Sequence, residues 1–555
     1  MEKRIDNGPM LNAYPDSIGG RLEDVVAFLK SAEAKDIFSS FYILPSIFNT
    51  DLDRGFSVID YEINEMLGRA QDIEDIKDLG MDLKLDFILN HISVLSAPFQ
   101  DILQKGEDSD YKDFFINWNR FWEGHGTMKE EGYLQPEEAV IKEMFFRKPG
   151  LPILMVRFPD GRDVPYWNTF YQEIRYPQLG YEDLMKLCGM QYLSAVTLAD
   201  RINEALKKGT PLKDLDFGSF QPYQESVTKY LEAHRTYLGQ MDLNIKSPLV
   251  WEYYEEVLKK LASYGTKIVR LDAFAYAPKE VGEKNFLNEP GTWELLERVQ
   301  KLADTYGLEL LPEIHASYGE GNYRVLAQKG YMTYDFFLPG LILDAIEHAD
   351  GSLLVQWARE LTEQKIRTVN MLGCHDGIPL LDLRGLLPEE RIQELIDTVV
   401  ARGGYVKDLH GNKNMYYQVN ATYYSALGEE DKKLLLARAL QLFMPGKPQI
   451  WYLDLFAGKN DHPAVARAGA GGHKEINRTN LSPQEIEERL QWDVVKRQLE
   501  LLRFRNTFPA FGFEAECRAE TAGEQITLVW KRGGYEAILK ADLKEWTYQI
   551  ETKEP

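Results

Sequence analysis

Eight short apolar runs recur along this chain, with helical patterns between most of them. The runs are MLNAY (10–14), FYILP (41–45), LKLDFILNH (83–91), TKIVRLDAF (266–274), LELLPEIH (308–315), MTYDFFLP (332–339), RTVNMLG (367–373) and PQIWYLD (448–454). The intervening patterns include RLEDVVAFLKSAEA, SPLVWEYYEEVLKKLASYG, TWELLERVQKLADTYG, GSLLVQWARELTEQ and DKKLLLARALQLFM. Apolar strands separated by amphipathic helices return in the same direction and build a parallel sheet covered on both faces. Eight such units predict an α/β fold, a (β/α)8 TIM barrel.

The gaps between the runs are uneven. Roughly 175 residues separate the third and fourth runs, and about 75 separate the seventh and eighth. Loops in βα units usually span only ~2–6 residues, so gaps of this size predict inserted loop domains on the catalytic face. The expected organisation is barrel over 1–90, an inserted domain B over 91–240, barrel over 241–376, a second inserted loop domain over 377–430, and barrel again over 431–505. Within the first insertion, residues 173–240 form an extra elaboration. It contains one helical stretch, YEDLMKLCGMQYLSAVTLADRINEALKKG. From 506 to 555 the pattern changes to short strands (EQITLVWKRG, YEAILKADL, EWTYQIE), which predicts a small C-terminal β-domain.

The charge balance narrows the function classes. A net charge of −23 disfavours nucleic acid and anionic membranes as partners, because both require a basic face. A small anionic substrate stays open, since a local cationic pocket outweighs distant charges. Three cysteines, Cys188, Cys374 and Cys517, supply neither a disulfide framework nor a zinc pattern. A cytoplasmic setting is expected from that cysteine usage, from an N-terminus without the apolar core of a signal peptide, and from the lack of a run near the ~18 apolar residues of a membrane span.

Four runs end on polar clusters: LDFILNH, IVRLDAF, LLPEIH and MLGCHDGI. On one barrel rim they deliver three carboxylates, Asp272, Glu313 and Asp376, a set suited to glycosyl transfer through paired acids. Arg270 lies two residues before Asp272, on the same strand face, where it can hold that carboxylate ionised as a nucleophile requires. Glu313 is expected to be protonated near neutral pH by an apolar or anionic environment, as a general acid must be. His375 and Asp376 can bind two adjacent sugar hydroxyls.

These clusters resemble the four conserved regions of glycoside hydrolase family 13, the α-amylase superfamily. More narrowly, the chain is similar to the sucrose phosphorylase branch through AYPDSIGG, DRGFSVIDY (53–61), RLDAFAYAPKE (270–280), CHDGI (374–378), YQVNATYYSAL (417–427), AGKND (457–461) and EINR (475–478). The resemblance implies that Asp272 is the nucleophile, Glu313 the acid and then base, and Asp376 the stabiliser of the transition state. It implies that His91, Arg270, His315 and His375 bind the substrate, that Asp53 and Arg478 clasp the far hydroxyls of the glucosyl unit, and that Phe56 and Tyr276 form apolar walls. For phosphate it implies a cationic loop, here FRKPGLP (146–152), and a Tyr–Gln pair, here Tyr417–Gln418. Lys148 stands where the branch carries arginine, with Arg147 before it. A lysine keeps the charge but loses the bidentate fork, so the acceptor contact rests with either residue.

The activity so implied is a retaining α-glucoside phosphorylase converting sucrose and phosphate to α-glucose 1-phosphate and fructose. Sucrose 6-phosphate, glucosylglycerol and glucosylglycerate are the alternative donors, and an α-glucosidase or transglucosidase is a further one. Tyr417 stands where enzymes of the branch that act on phosphosugars tend to carry histidine, which favours plain sucrose. Orthophosphate is the co-substrate. No cofactor and no metal is expected, nor any partner beyond small molecules and, in a homodimer, a second copy.

Overall fold

A computed structural model of the chain describes residues 5–147, 150–406, 418–469 and 471–555, without the Asp53 side chain. Eight parallel strands follow the eight runs: β1 (Met10–Ala13), β2 (Ser40–Ile43), β3 (Asp82–Ile88), β4 (Thr266–Asp272), β5 (Glu309–Pro312), β6 (Thr333–Asp335), β7 (Thr368–Asn370) and β8 (Lys447–Trp451). Their order is β5-β4-β3-β2-β1-β8-β7-β6, a sheet nearly closed into a barrel. The register sets Arg270 opposite Asp86 and Asp272 opposite Ile88. The barrel interior is polar at one level. Lys84, fully buried, donates to the Tyr334 hydroxyl (2.5 Å) and to Gln449 Oε1 (2.7 Å), and the Tyr42 hydroxyl donates to Asp86 Oδ2 (2.8 Å). These bonds satisfy side chains whose burial would otherwise cost several kcal/mol, roughly 2–7 each.

Several strands end before their runs do, the third and the sixth for reasons visible in the hydrogen bonding. Strand β3 stops at Ile88, and His91 opens a separate strand, His91–Ser93, that pairs antiparallel with Thr236–Asp242. The sixth run yields only three strand residues because Asp335 accepts from the amides of Phe337 and Leu338 and so starts the helix Leu338–His348. The Trp357 indole N–H occupies the other oxygen of that carboxylate (2.9 Å).

The long excursion after β3 contains a hairpin, Ile153–Arg157 with Asp163–Trp167, and a three-stranded antiparallel sheet of His91–Ser93, Thr236–Asp242 and Gln172–Arg175. Trp118 and Trp122 pack against Trp167 at the end of the hairpin as a cluster of their own. The stretch expected as one helix is two, Tyr181–Cys188 and Tyr192–Lys207, because Gly189 turns left-handed at φ +65° and ends the first. With Gln224–Ala233 they enclose a separate core of Leu184, Leu198, Ile202, Phe217, Val227 and Leu231. The buried ammonium of Lys279 pins the excursion to the barrel: it meets Asp242 Oδ2 (2.8 Å), Asn90 Oδ1 (3.1 Å) and the Tyr276 carbonyl (2.6 Å).

The excursion after β7 holds the helix Glu389–Ala401 and a short pair, Tyr405–Val406 with Val419–Asn420. After the helix Asp493–Thr507, four antiparallel strands, Glu516–Ala522, Gln525–Arg532, Tyr535–Asp542 and Thr547–Lys553, form a meander. Their alternating burial turns one face onto the barrel, where the Trp530 indole donates to the Phe443 carbonyl (2.7 Å). Among the described residues, no helix is long and apolar enough to cross a membrane.

Candidate active site

Arg270 organises the rim. Its Nη1 donates to Asp86 Oδ1 (2.5 Å) and to Asp272 Oδ1 (2.8 Å), and its Nη2 meets Glu313 Oε1 at 2.7 Å. The expected pairing of Arg270 with Asp272 is present, and Glu313 shares the same guanidinium. Asp272 is the last residue of β4. The chain turns at once through Ala273, whose φ is +51°, and the Asp272 carbonyl accepts from the Leu89 amide across to β3. Glu313 follows β5, its amide bonded to the Leu271 carbonyl (3.2 Å).

The two carboxylates titrate apart. Burial pushes the Asp272 carboxyl up to about 8; Arg270 opposes the rise while Glu313, Asp86 and Asp376 add to it. Burial also acts to raise Glu313, but Arg270 and then His315 bring it down to about 2. The pair therefore shares one proton at neutral pH. Nη2 of Arg270 and the His315 ring, two positive groups, reach Glu313 across the rim.

Asp376 stands opposite this pair. Lys474 Nζ is 2.5 Å from its Oδ1, Arg478 Nη2 is 3.7 Å away, and His375 Nε2 lies 3.3 Å from Oδ2. Burial would raise this carboxyl, yet His375, Lys474 and Arg478 hold it well below the usual carboxylate range. The turn depends on Gly377: at φ +114° a Cβ there would lie 2.4 Å from the Val419 carbonyl oxygen. Burial pushes His375 down to about 3, so its ring is neutral; the ring stacks on Phe56 at 5.0 Å and 15°. His375 Nδ1 is buried without a hydrogen-bond partner among the described residues. Such an atom fits a site that receives a polyhydroxylated ligand.

The remaining expected residues converge on the same rim. The Phe56 carbonyl accepts from His91 Nε2 (3.1 Å) and from Gln240 Nε2 (3.1 Å). His91 packs on Phe170, and Phe170 on Tyr276. Tyr276 is more than an apolar wall, since Arg147 Nη1 donates to its hydroxyl (2.9 Å) and the Arg147 guanidinium lies over the Phe170 ring at 5.0 Å. Arg478 Nε donates to the His375 carbonyl (2.8 Å). His315 stacks on Phe336 at 3.9 Å, and Gln418 Nε2 comes within 3.3 Å of its Nε2. Lys148, Tyr417 and the Asp53 side chain lie outside the described residues.

Sequence reasoning missed Asp86, Lys474 and Asp382. Asp86 lies inside LDFILNH, four residues before Asn90, and its pairing follows from the β3–β4 register. Lys474 directly precedes EINR, so its place beside a site motif was the available signal. No motif contains Asp382. Among the described residues, no group of three or more His, Cys, Asp or Glu is arranged to hold a metal ion.

A protein-family model described as the alpha amylase catalytic domain matches residues 35–141. The chain is 48% identical to the sucrose 6(F)-phosphate phosphorylase of Ilumatobacter coccineus, with 99% of this chain and 96% of that protein aligned. It is 30% identical to the sucrose phosphorylase of Streptococcus mutans, with 98% of each chain aligned. Among solved structures, that of sucrose 6F-phosphate phosphorylase from Thermoanaerobacter thermosaccharolyticum superposes with a TM-score of 0.80 at 33% identity, covering 99% of this chain and 96% of that one.

Proposed function

The chain belongs to the α-amylase family, in its branch of sucrose-type phosphorylases, and we propose that it transfers a glucosyl unit from sucrose 6-phosphate to orthophosphate with retention. The sequence reading put plain sucrose first. The 48% identity to a sucrose 6(F)-phosphate phosphorylase, against 30% to a sucrose phosphorylase, supports the phosphorylated donor instead. It outweighs the single position Tyr417 on which the preference for sucrose rested. A phosphorylated leaving group also needs cations beyond those that bind glucose. Arg147, braced by Tyr276 and Phe170, supplies one on the rim.

The observation that carries the reading is that Asp272 and Glu313 meet on the one guanidinium of Arg270, a carboxylate pair close enough to share a proton. Double displacement needs one ionised carboxylate and one protonated one at the same time. With the donor in the site, the shared proton is on Glu313 and Asp272 is ionised. Asp272 then attacks the anomeric carbon while Glu313 protonates the leaving oxygen, and fructose 6-phosphate departs. Charge develops on the sugar ring beside Asp376, which its cations keep ionised. Phosphate next attacks the β-glucosyl ester and releases α-glucose 1-phosphate.

The test is glucose 1-phosphate release from sucrose 6-phosphate and from sucrose, with and without orthophosphate. The expected result is release that requires phosphate, with kcat/KM at least roughly tenfold higher on sucrose 6-phosphate, about 1.4 kcal/mol of discrimination. A preference for sucrose overturns the donor. Free glucose at the same rate with or without phosphate overturns the phosphorylase.

A further inference from the structure

Asp382 and His315 form a buried pair beside Glu313. Asp382 comes from the short helix Leu381–Leu383 in the excursion after β7, and His315 stands two residues beyond Glu313. Asp382 Oδ2 lies 3.4 Å from His315 Nδ1, and Glu313 Oε1 lies 3.4 Å from Nε2. The side chains of His315 and Asp382 are only 5% and 7% exposed. Among the described residues, the groups facing the ring include two carboxylates, the Gln418 amide 3.3 Å from Nε2, and Phe336 stacked beneath. A carboxylate at each nitrogen calls for a proton on each. With Nε2 protonated, the Gln418 amide turns its oxygen rather than its nitrogen to the ring. Burial works against the charge, but Asp382 and Glu313 push the imidazole up to about 10.

We propose that Asp382 is a positioning residue that keeps His315 as a fixed imidazolium, and that this charge admits the phosphate nucleophile beside ionised Glu313. The inference rests on the phosphorylase reading and deepens it. Once Glu313 has given its proton to the leaving oxygen, it is a carboxylate. The next reactant is a phosphate dianion, one of whose oxygens bonds to the anomeric carbon. The ester C–O bond to Asp272 breaks, and its electron pair returns to that carboxylate. The dianion brings no proton that must be removed. Two negative groups therefore meet on the side where the leaving group stood, and the imidazolium at 3.4 Å from Glu313 offsets their repulsion. Water, the competing acceptor, is neutral and requires no offset.

The experiment loads the enzyme from α-glucosyl fluoride, a donor without phosphate, and measures how the glucosyl-enzyme divides between phosphate and water. Asp382→Asn should lower the ratio of glucose 1-phosphate to glucose at least roughly tenfold, with KM for phosphate raised and hydrolysis changed less than about threefold. In that variant the ratio should also fall as pH rises from about 6 to 8, as His315 returns toward an ordinary value near 6.5. With the phosphate dianion held at constant concentration across that range, the wild-type ratio should be flat, and Asp382→Glu should restore most of it. A general structural defect lowers both products together and leaves the ratio unchanged, which overturns the proposal. Ring-nitrogen NMR of the wild type at pH 8, with His315 assigned through His315→Asn, decides the matter if Asp382→Asn does not fold: a neutral ring overturns it. Wild-type enzyme that yields glucose regardless of phosphate sinks the phosphorylase reading instead, and the NMR result still judges the charged pair.

Discussion

Lys474 holds its ammonium 2.5 Å from Asp376 Oδ1, on the carboxylate that closes the seventh-strand cluster. The two are 98 residues apart in sequence, and the contact forms because the segment Gly472–Asn477 folds back over the rim. Lys474 is 35% exposed, so solvent screens part of its effect. Lys474→Met should lower kcat/KM for the donor about three- to tenfold, roughly 0.7–1.4 kcal/mol. Removing a cation lets the Asp376 carboxyl rise, so the acid limb of the pH profile should move to higher pH. A limb that stays in place would show that His375 and Arg478 alone set that carboxylate.

Arg270 carries more of the site than any other side chain, because Asp86, Asp272 and Glu313 all meet it. Arg270→Met leaves three carboxylates around an apolar chain. Breaking one partner of a buried ion pair costs about 3–5 kcal/mol, and these carboxyls would also take up protons. The expected outcome is a clear loss of thermal stability by calorimetry, largest at alkaline pH, with turnover down at least roughly a thousandfold. Arg270→Lys keeps the charge but cannot span the carboxylates with a planar fork, so it should rescue stability more than turnover.

All eight barrel strands were legible in the sequence, because a buried parallel strand is a local signal: an apolar run bounded by polar residues. Asp272, Glu313 and Asp376 were legible for the same reason, each standing at or just past the end of such a run. The cations around Glu313 were not. Which nitrogen of Arg270 meets Glu313, and the approach of the His315 ring, do not follow from strand spacing. Asp382 and Lys474 reach the rim from the excursion after β7 and from the loop after β8, outside any strand pattern, so only folding brings them to the site. Gly189 could have split the long helical stretch in advance, since a glycine between two amphipathic segments is a ready left-handed end.

Asp272 makes the folded chain pay for its site. Its carboxyl titrates near 8 when folded and at about 3.9 when unfolded. Between those values the folded state holds a proton that the unfolded state has lost, so this group's contribution to stability declines as pH rises from about 4 to 8. Asp272→Asn removes the titration. Its melting temperature should exceed that of the wild type at pH 8, and the gap should narrow toward pH 5. Turnover should fall at least roughly ten-thousandfold. A gap that widens on acidification would mean that Asp272 is ionised in the empty site.

The helical elaboration is separable by construction. Strands Gln172–Arg175 and Thr236–Asp242 pair with Arg175 opposite Thr236, so both ends of the segment between them meet at one rung. Its helices enclose their own apolar core, and its ties to the hairpin run through Arg235 to Asp163 and Glu232 to Arg157. Replacing residues 176–235 with Asn-Gly should close the two strands as a two-residue hairpin, because that turn matches their twist. The shortened enzyme should keep kcat/KM for the donor within about tenfold, while losing the stability of the two ion pairs. If kcat/KM for the donor instead falls more than about a hundredfold with hydrolysis of α-glucosyl fluoride intact, the elaboration covers the leaving-group subsite. A change of mass in solution without loss of activity would assign it to contact between two copies.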